Sequence, residues 1–242
     1  MMNQFARFEL LVGGEALDRL RHSRVAVFGV GGVGGYTVEA LVRSGVGTLD
    51  IIDGDSVSLT NLNRQIIALH STVGRSKVAV MRERILDINP DCTVNTYDLY
   101  FNAETESQFD FTAYDYVVDA VDSVTAKLRI IEICKEKNIP IISSMGTGNK
   151  RDPSLLTVTD IAKTSYDGLA RIMRKELGKR AIKHLTVVYS PEPAVKVDAQ
   201  KAADLISAED LQKRSIPASS AFVPPTAGLL IASRVVAQLG GA

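Results

Sequence analysis

The sequence predicts an α/β protein: a Rossmann-like, mostly parallel sheet with helices on both faces, extended by antiparallel strands and a C-terminal cap. Three observations lead there. Short β-branched runs alternate with amphipathic helical stretches over residues 1–150, a glycine-rich turn follows the first run, and carboxylates recur where the runs end. Strand and helix alternating with short joints imply parallel pairing, because each helix carries the chain back to begin the next strand in the same direction.

Residues 15–21 read as a short amphipathic helix leading into a first strand over 25–28, whose Val-Ala-Val-Phe run suits a buried parallel strand. A helix over 34–44 and a strand over 48–52 follow. The spacing of Val78, Met81, Ile85 and Ile88 predicts a helix over 76–89, stopped by Pro90. Weak alternation makes 92–97 a strand. A strand over 114–122 ends in Asp119 and Asp122, and a helix over 123–137 and a strand over 139–143 complete the first part. Beyond Lys150 the pattern changes. Residues 155–159 and 186–189 read as strands, antiparallel additions or a cap. Between them 167–179 is an amphipathic helix with Leu169, Ile172, Met173 and Leu177 on one face. Residues 191–224 are polar and proline-broken, with helix expected over 207–214, and 226–238 reads as a closing helix. The expected organisation is one domain over 1–242, with a nucleotide-binding part at 1–150 and a substrate-binding and closing part at 151–242.

Composition narrows the function classes. With 242 residues, 45% hydrophobic and 23% charged, the chain can bury a full core. Its 28 basic and 28 acidic residues cancel, so any nucleic-acid site must be a local patch. Two cysteines, Cys92 and Cys134, form no C-x-x-C pair, which fits a reducing compartment and offers no zinc knuckle. The N-terminus lacks a signal-peptide core, and the longest late apolar stretch, 227–239, is too short to span a bilayer and contains Arg234. A cytoplasmic protein is the expectation.

The most telling stretch runs from 25 to 77. Gly29, Gly31 and Gly34 fit G-x-G-x-x-G, with Gly32 inside the turn, which allows close approach of a phosphate to a helix N-terminus. Asp53, ending the second strand, stands where a ribose-binding carboxylate belongs. A glycine fingerprint alone suggests NAD. Asn61, Arg64, Gln65 and Lys77 add polar and cationic groups that a dinucleotide does not need and a triphosphate does. Solvated surface charge is the bland reading of Arg64 and Lys77, helix capping that of Asp122, and turn-shaping that of Asp55.

Taken in order, Arg7, the glycine turn, Asp53-Gly54-Asp55, Asn61-Leu62-Asn63-Arg64-Gln65, Val73-Gly74-x-x-Lys77 and Asp119-x-x-Asp122 resemble the E1-like, ThiF-type adenylating enzymes. Within them Met145 to Pro153, Asp160-Ile-x-Lys163 and Lys183 to Ser190 resemble the branch that dehydrates threonylcarbamoyladenosine in transfer RNA, and the length is similar. That resemblance implies ATP bound by Gly29, Gly31, Gly32, Gly34, Asp53, Asp55, Asn61, Arg64, Gln65 and Lys77. It also implies Mg²⁺ on Asp122, Arg7 reaching the γ-phosphate from the partner of a homodimer, and catalytic work by Arg64, Lys77, Asp122 and Arg7. A monovalent cation (K⁺ or Na⁺) and a sulfur-relay partner such as a cysteine desulfurase are further implications. Two departures stand out: Gly35 where the family often has serine, and Gln4 where a second arginine is common.

The activity implied is ATP-dependent cyclisation of threonylcarbamoyladenosine by adenylation of its carboxylate. The alternatives are adenylation of the C-terminal glycine of a ubiquitin-like sulfur carrier, or a plain NAD-binding or non-catalytic module. Absent zinc cysteines argue against the carrier, whose activators usually have them. Both cysteines read as buried small residues rather than nucleophiles. The candidate RNA face is the basic stretch 167–184, which has six Lys and Arg residues plus His184 against two acids: Arg171, Arg174, Lys175, Lys179, Arg180 and Lys183. A solvated helix face is the alternative, and Tyr166 and Tyr189 are the candidates to stack an unpaired base.

Overall fold

The computed structural model describes residues 3–208 and 217–241. The chain begins with two short helices, α1 (Ala6–Val12) and α2 (Gly14–His22). Then β1 (Arg24–Phe28), α3 (Gly34–Arg43), β2 (Thr48–Ile52), α4 (Lys77–Ile88), β3 (Thr93–Tyr97), β4 (Tyr116–Asp119), α5 (Val124–Glu136) and β5 (Ile141–Ser144) alternate. After them come β6 (Thr157–Asp160), α6 (Gly168–Lys179), β7 (Thr186–Tyr189), α7 (Ala199–Ala208) and α8 (Val223–Gly240). Of the helix expected at 207–214, Ser207 and Ala208 end α7 and 209–214 lie outside the described residues.

Seven strands form one sheet in the order β3-β2-β1-β4-β5-β7-β6. β1 pairs in parallel with both β2 and β4, so the order reverses direction at β1/β4 and opens a crevice at the strands' C-terminal edge. β6 is antiparallel to β7, as expected, but β7 is parallel to β5 and extends the main sheet. The expectation of two antiparallel additions is therefore corrected. Helix α6 acts as a crossover that returns the chain, so β7 enters beside β5 and pushes β6 to the edge.

Alternation along β1 separates two cores. Val25 and Val27 face α3, α4 and α8 with Leu41, Leu49, Met81 and Ile231, whereas Ala26 and Phe28 face α5 and α6 with Ile130, Met173 and Leu177. An aromatic cluster of Phe28, Phe101, Phe109 and Phe111 seals the second face. In α6 the buried stripe is Ala170, Met173 and Leu177, while Ile172, expected on it, is 45% exposed. Helix α8 starts at Val223, earlier than its prolines suggest, since Pro fits a first turn. It crosses α3 closely: a Cβ on Gly228 would lie 2.3 Å from Val33 O, and the Thr37 hydroxyl donates to Gly228 O at 3.1 Å. That crossing fixes the start of α3 at the crevice.

Candidate active site

The first wall of the crevice is the turn after β1. Gly29 has φ +91° and donates its N–H to Ile52 O at 2.7 Å. A Cβ there would lie 2.6 Å from Ala120 O, and one on Gly34 would lie 1.8 Å from Gly29 O, so the chain's own packing demands both glycines. Gly32 is tight against Pro224 and Arg64, at 3.2 and 3.3 Å. Gly31 is different. Its Cβ would meet nothing closer than Gln65 Nε2 at 4.0 Å, leaving room for a ligand's close approach. Helix α3 begins at Gly34 without a side-chain cap, and Gly35 continues it in regular helix, so the missing serine leaves the helix start in place.

Asp53, at the end of β2, is tied to that turn. Its Oδ2 accepts the Val30 N–H at 2.7 Å and its Oδ1 accepts the Asp55 N–H at 2.9 Å. Lys77, the first residue of α4, is buried, donates Nζ to Asp55 Oδ2 at 2.6 Å and lies 3.6 Å from Asp53 Oδ1. Burial pushes the Asp53 carboxyl above its ordinary value, and Lys77 with the two N–H groups pulls it back. Tyr100, a residue the sequence reading passed over, donates its hydroxyl to Asp55 Oδ1, and this bond, with burial, pushes the phenol up to about 12.

The polar train expected after Asp53 lies alongside. Asn61 is buried in a single 3-10 turn, its Oδ1 accepting the Ser58 N–H at 3.2 Å. Arg64, half-buried, donates Nη1 to Thr60 O and to Asn63 Oδ1, each at 3.0 Å. Gln65 is 6% exposed and its Oε1 has no hydrogen-bond partner among the described residues. An orphaned buried amide facing the glycine turn suits a ligand contact, since such groups are costly to leave unpaired. The structure thus brings Gly29 to Gly34, Asp53, Asp55, Asn61, Arg64, Gln65 and Lys77 to one crevice.

Asp122 is exposed in the turn from β4 to α5, two residues beyond the Ala120 that packs under Gly29. It does not cap α5. Ser123 does, its Oγ accepting the Ala126 N–H at 3.3 Å. Among the described residues no group of three His, Cys, Asp or Glu could cage a metal ion. A single carboxylate beside a phosphate cradle is still the usual protein share for Mg²⁺ on a nucleotide.

Asp119 plays a different part from its neighbour. It is fully buried, with Lys127 Nζ donating to its Oδ1 and Oδ2 at 3.1 and 3.0 Å and Ser143 Oγ donating to Oδ2 at 2.5 Å. Lys127 also donates to Ser144 O at 2.8 Å, so one ammonium joins the ends of β4 and β5. The available signal was a lysine in register with Ile130, Ile131 and Cys134 on the buried side of α5.

Arg7 is not brought to this crevice. It is exposed on α1, at the opposite edge of the sheet, where Gln4 Nε2 donates to Asn89 Oδ1 at 3.3 Å and Phe5 packs at Gly45. Gln4 thus serves as a tether at this edge. The expected basic face is partly consumed. Arg174 donates to Thr164 O at 3.0 Å, Lys179 to Glu176 at 2.6 Å, and Arg180 to Glu132 and Glu176. Arg171, Lys175 and Lys183 remain exposed. Tyr189 is 6% exposed and cannot stack a base, whereas Tyr166 is 81% exposed at φ +56°. Cys92 and Cys134 are buried, and burial raises their thiols to about 11 and about 12. No helix among the described residues is long and apolar enough to cross a membrane.

Comparison with known proteins identifies the family. The ThiF family model matches residues 3–209. The tRNA threonylcarbamoyladenosine dehydratase of Bacillus subtilis is 43% identical over 242 residues, covering 99% of this chain and 95% of that one. Among solved structures, the E. coli tRNA N6-threonylcarbamoyladenosine dehydratase TcdA in complex with ATP superposes with a TM-score of 0.86 at 32% identity, covering 98% and 94% of the two chains. Its complex with AMP gives the same TM-score at 33% identity. The chain therefore belongs to the ThiF family, in the branch of the tRNA threonylcarbamoyladenosine dehydratases.

Proposed function

We propose that this chain is an ATP-dependent dehydratase that cyclises threonylcarbamoyladenosine in transfer RNA. The observation that carries the reading is the 43% identity over 242 residues, which extends through both halves of the chain. In the first step a substrate carboxylate oxygen attacks the α-phosphorus of ATP, and pyrophosphate leaves with the bonding electrons. In the second, the carbamoyl group of the same nucleoside attacks the activated carbonyl carbon, AMP leaves, and a proton is lost. The net change is removal of one water. Because the attacking group is already tethered, the enzyme needs no second substrate and no thiol nucleophile. Both cysteines, buried and hard to ionise, fit that economy.

The residues divide the work as follows in this proposal. Gly29, Gly31, Gly32 and Gly34 cradle the phosphates at the start of α3, and Asp53 accepts from the ribose. Lys77, held at the crevice by Asp55, with Asn61, Arg64 and Gln65, stabilises charge on the phosphates as it builds up in the transition state. Asp122 would hold Mg²⁺ beside the phosphates, and the ion would supply charge neutralisation there. Residues 1–150 bind nucleotide, and 151–242 receive the substrate and close the domain.

Arg7 serves the active site of a second copy in a homodimer. Helix α1 supports this: none of its residues is buried, and Leu10 and Leu11 are 90% and 80% exposed, an apolar edge suited to a partner surface. Arg171, Lys175 and Lys183 are the phosphate contacts for transfer RNA. A sulfur-relay protein such as a cysteine desulfurase would dock without passing sulfur to either buried thiol. Free thiols fit a cytoplasmic setting, and K⁺ or Na⁺ dependence is read by exchanging the salt in the assay.

The decisive experiment incubates threonylcarbamoyladenosine-bearing transfer RNA with the protein, ATP and Mg²⁺ and analyses the nucleosides by mass. Loss of one water from the modified adenosine is the expected result. Pyrophosphate release stimulated only by a carrier protein ending in Gly-Gly would overturn the reading.

A further inference from the structure

A cavity of about 610 Å³ lies beside the glycine turn, between the loop after β5, the segment before α7 and the start of α8. Its size is ordinary for a small-molecule site, which typically spans ~300–1,000 Å³. Asn149 builds it. Its N–H donates to Ala218 O at 2.8 Å, its Oδ1 accepts the Ala218 N–H at 2.7 Å, and its carbonyl accepts the Val195 N–H at 2.7 Å. Both walls therefore hang on one residue, which holds φ +59° to reach them. Gly148 completes the seam, since a Cβ there would come within 2.6 Å of Pro217 Cβ. The floor is closed by Lys150, buried and neutralised by Asp167 Oδ2 at 3.0 Å while donating to Ser190 O at 2.5 Å.

The lining is apolar inside and cationic at the rim. Val195 and Ala202, both half-buried, and Pro217 supply the apolar lining, and Phe222 stands 65% exposed at the mouth. Arg151, Lys196 and Lys201 are exposed at the edge, and among the described residues their side chains have no hydrogen-bond or ion-pair partner. Asp198, the one acid among the described lining residues, is occupied in capping α7 through the Gln200 and Lys201 N–H groups at 2.9 and 3.1 Å.

The cavity's position fits its chemistry. Asn63 Nδ2 donates to Ser219 O at 3.2 Å, and Gly32 abuts Pro224, so the cavity adjoins the loop that carries Asn61 and Arg64. Across the sheet edge Asp53 lies on β2 and the cavity on the β5 side, with the glycine turn between them. A nucleotide extending from Asp53 along the turn would run towards the cavity.

We propose that this cavity receives the unstacked, modified adenosine of transfer RNA, with Phe222 stacking on its base and Arg151, Lys196 and Lys201 contacting the flanking phosphates. A flipped base needs an apolar slot with an aromatic face, and its backbone needs unpaired cations; both are present here and next to the phosphate cradle. The inference rests on the dehydratase reading and adds the place where the substrate nucleoside sits.

The test is steady-state cyclisation followed by nucleoside mass analysis, with transfer RNA and ATP varied separately. Phe222→Ala raises the KM for modified transfer RNA ~10-fold and leaves the KM for ATP unchanged, and Phe222→Tyr restores the wild-type value. Lys196→Ala with Lys201→Ala lowers the salt slope of transfer RNA binding by ~1.4, as two lost single-strand phosphate contacts require. An unchanged transfer RNA KM in Phe222→Ala, or a parallel rise in the ATP KM, overturns the site while the wild type still cyclises. Failure of the wild-type protein itself to remove water overturns the dehydratase reading instead.

Discussion

Lys127 and Asp119 form an ion pair with both side chains essentially out of water, 1% and 0% exposed, where β4 and β5 end. The pair sets the turn that follows. Val121 donates its N–H to Asp119 Oδ1 at 3.3 Å, and Ala120, between them, fills the space beneath Gly29 and Gly34. A charge pair buried in the sheet therefore determines where the glycine turn and Asp122 stand.

Removing one partner of such a pair leaves an uncompensated charge in the interior. Lys127→Met should lower unfolding free energy by ~3–5 kcal/mol, whereas Lys127→Met with Asp119→Leu should recover much of that loss. Urea denaturation of the three proteins measures both. A single variant less than about 1 kcal/mol below wild type would show that the pair is not buried as described.

The glycines of the turn separate stability from binding. Gly34→Ala puts a Cβ into Gly29 O and should destabilise the fold or prevent it, since the clash is with backbone that cannot swing aside. Gly31→Ala has room in the protein alone, so its melting temperature should stay within a few degrees of wild type. Its affinity for ATP should nevertheless fall, ~10-fold or more, because the methyl occupies the approach to the phosphates. Calorimetric titration with ATP and a thermal melt together decide this, and equal nucleotide affinity would place the phosphates elsewhere.

Lys77→Ala should reduce pyrophosphate release by ~100-fold or more, as loss of a fixed cation from a phosphoryl-transfer site does. Circular dichroism should show an intact fold. Turnover within a few-fold of wild type would remove Lys77 from the chemistry and leave it as the neutraliser of Asp53 and Asp55.

Alkaline pH provides a check on the buried thiols. In the folded chain burial raises Cys92 to about 11 and Cys134 to about 12, above the ordinary thiol value of 9.0. Between those values the unfolded chain loses protons that the folded chain keeps. Stability is therefore full below pH 9 and falls as pH rises towards 11, by up to ~1.4 kcal/mol per pH unit for each thiol. Cys92→Ala with Cys134→Ala should flatten that part of the decline in denaturation midpoints at pH 8, 9 and 10. An unchanged slope would mean that other groups control it.

What was legible in the sequence depended on how local its cause was. The bounds of β2 and β7 could be read residue for residue, because Thr48–Ile52 and Thr186–Tyr189 carry their β-branched pattern in themselves. That Gly29, Asp53, Asn61, Arg64 and Lys77 meet at one crevice was legible because their motifs follow one another within residues 29–77. Helix α1 was passed over: its seven residues are too few for a helical period to stand out from the sequence. The Asn149 seam joins positions 46 and 69 residues apart, mostly through backbone groups, which no side-chain pattern records. Arg174 and Arg180 looked like free cations because their partners, Thr164 and Glu132, become neighbours only after folding.

Arg7 provides the sharpest test of assembly. Within one chain it lies at the sheet edge opposite the glycine turn, so it can act at a phosphate only on a second copy. Arg7→Ala and Lys77→Ala should each be poorly active alone. Mixed in equal amounts and allowed to exchange, half the dimers pair one variant with the other. In each such dimer the Lys77→Ala chain lends its Arg7 to the site of the Arg7→Ala chain, whose Lys77 is intact. Activity should then return to roughly a quarter of wild type, one site in four being complete. A mixture no more active than the average of its components would place Arg7 outside the reaction, and a monomeric mass in sedimentation would exclude the exchange altogether.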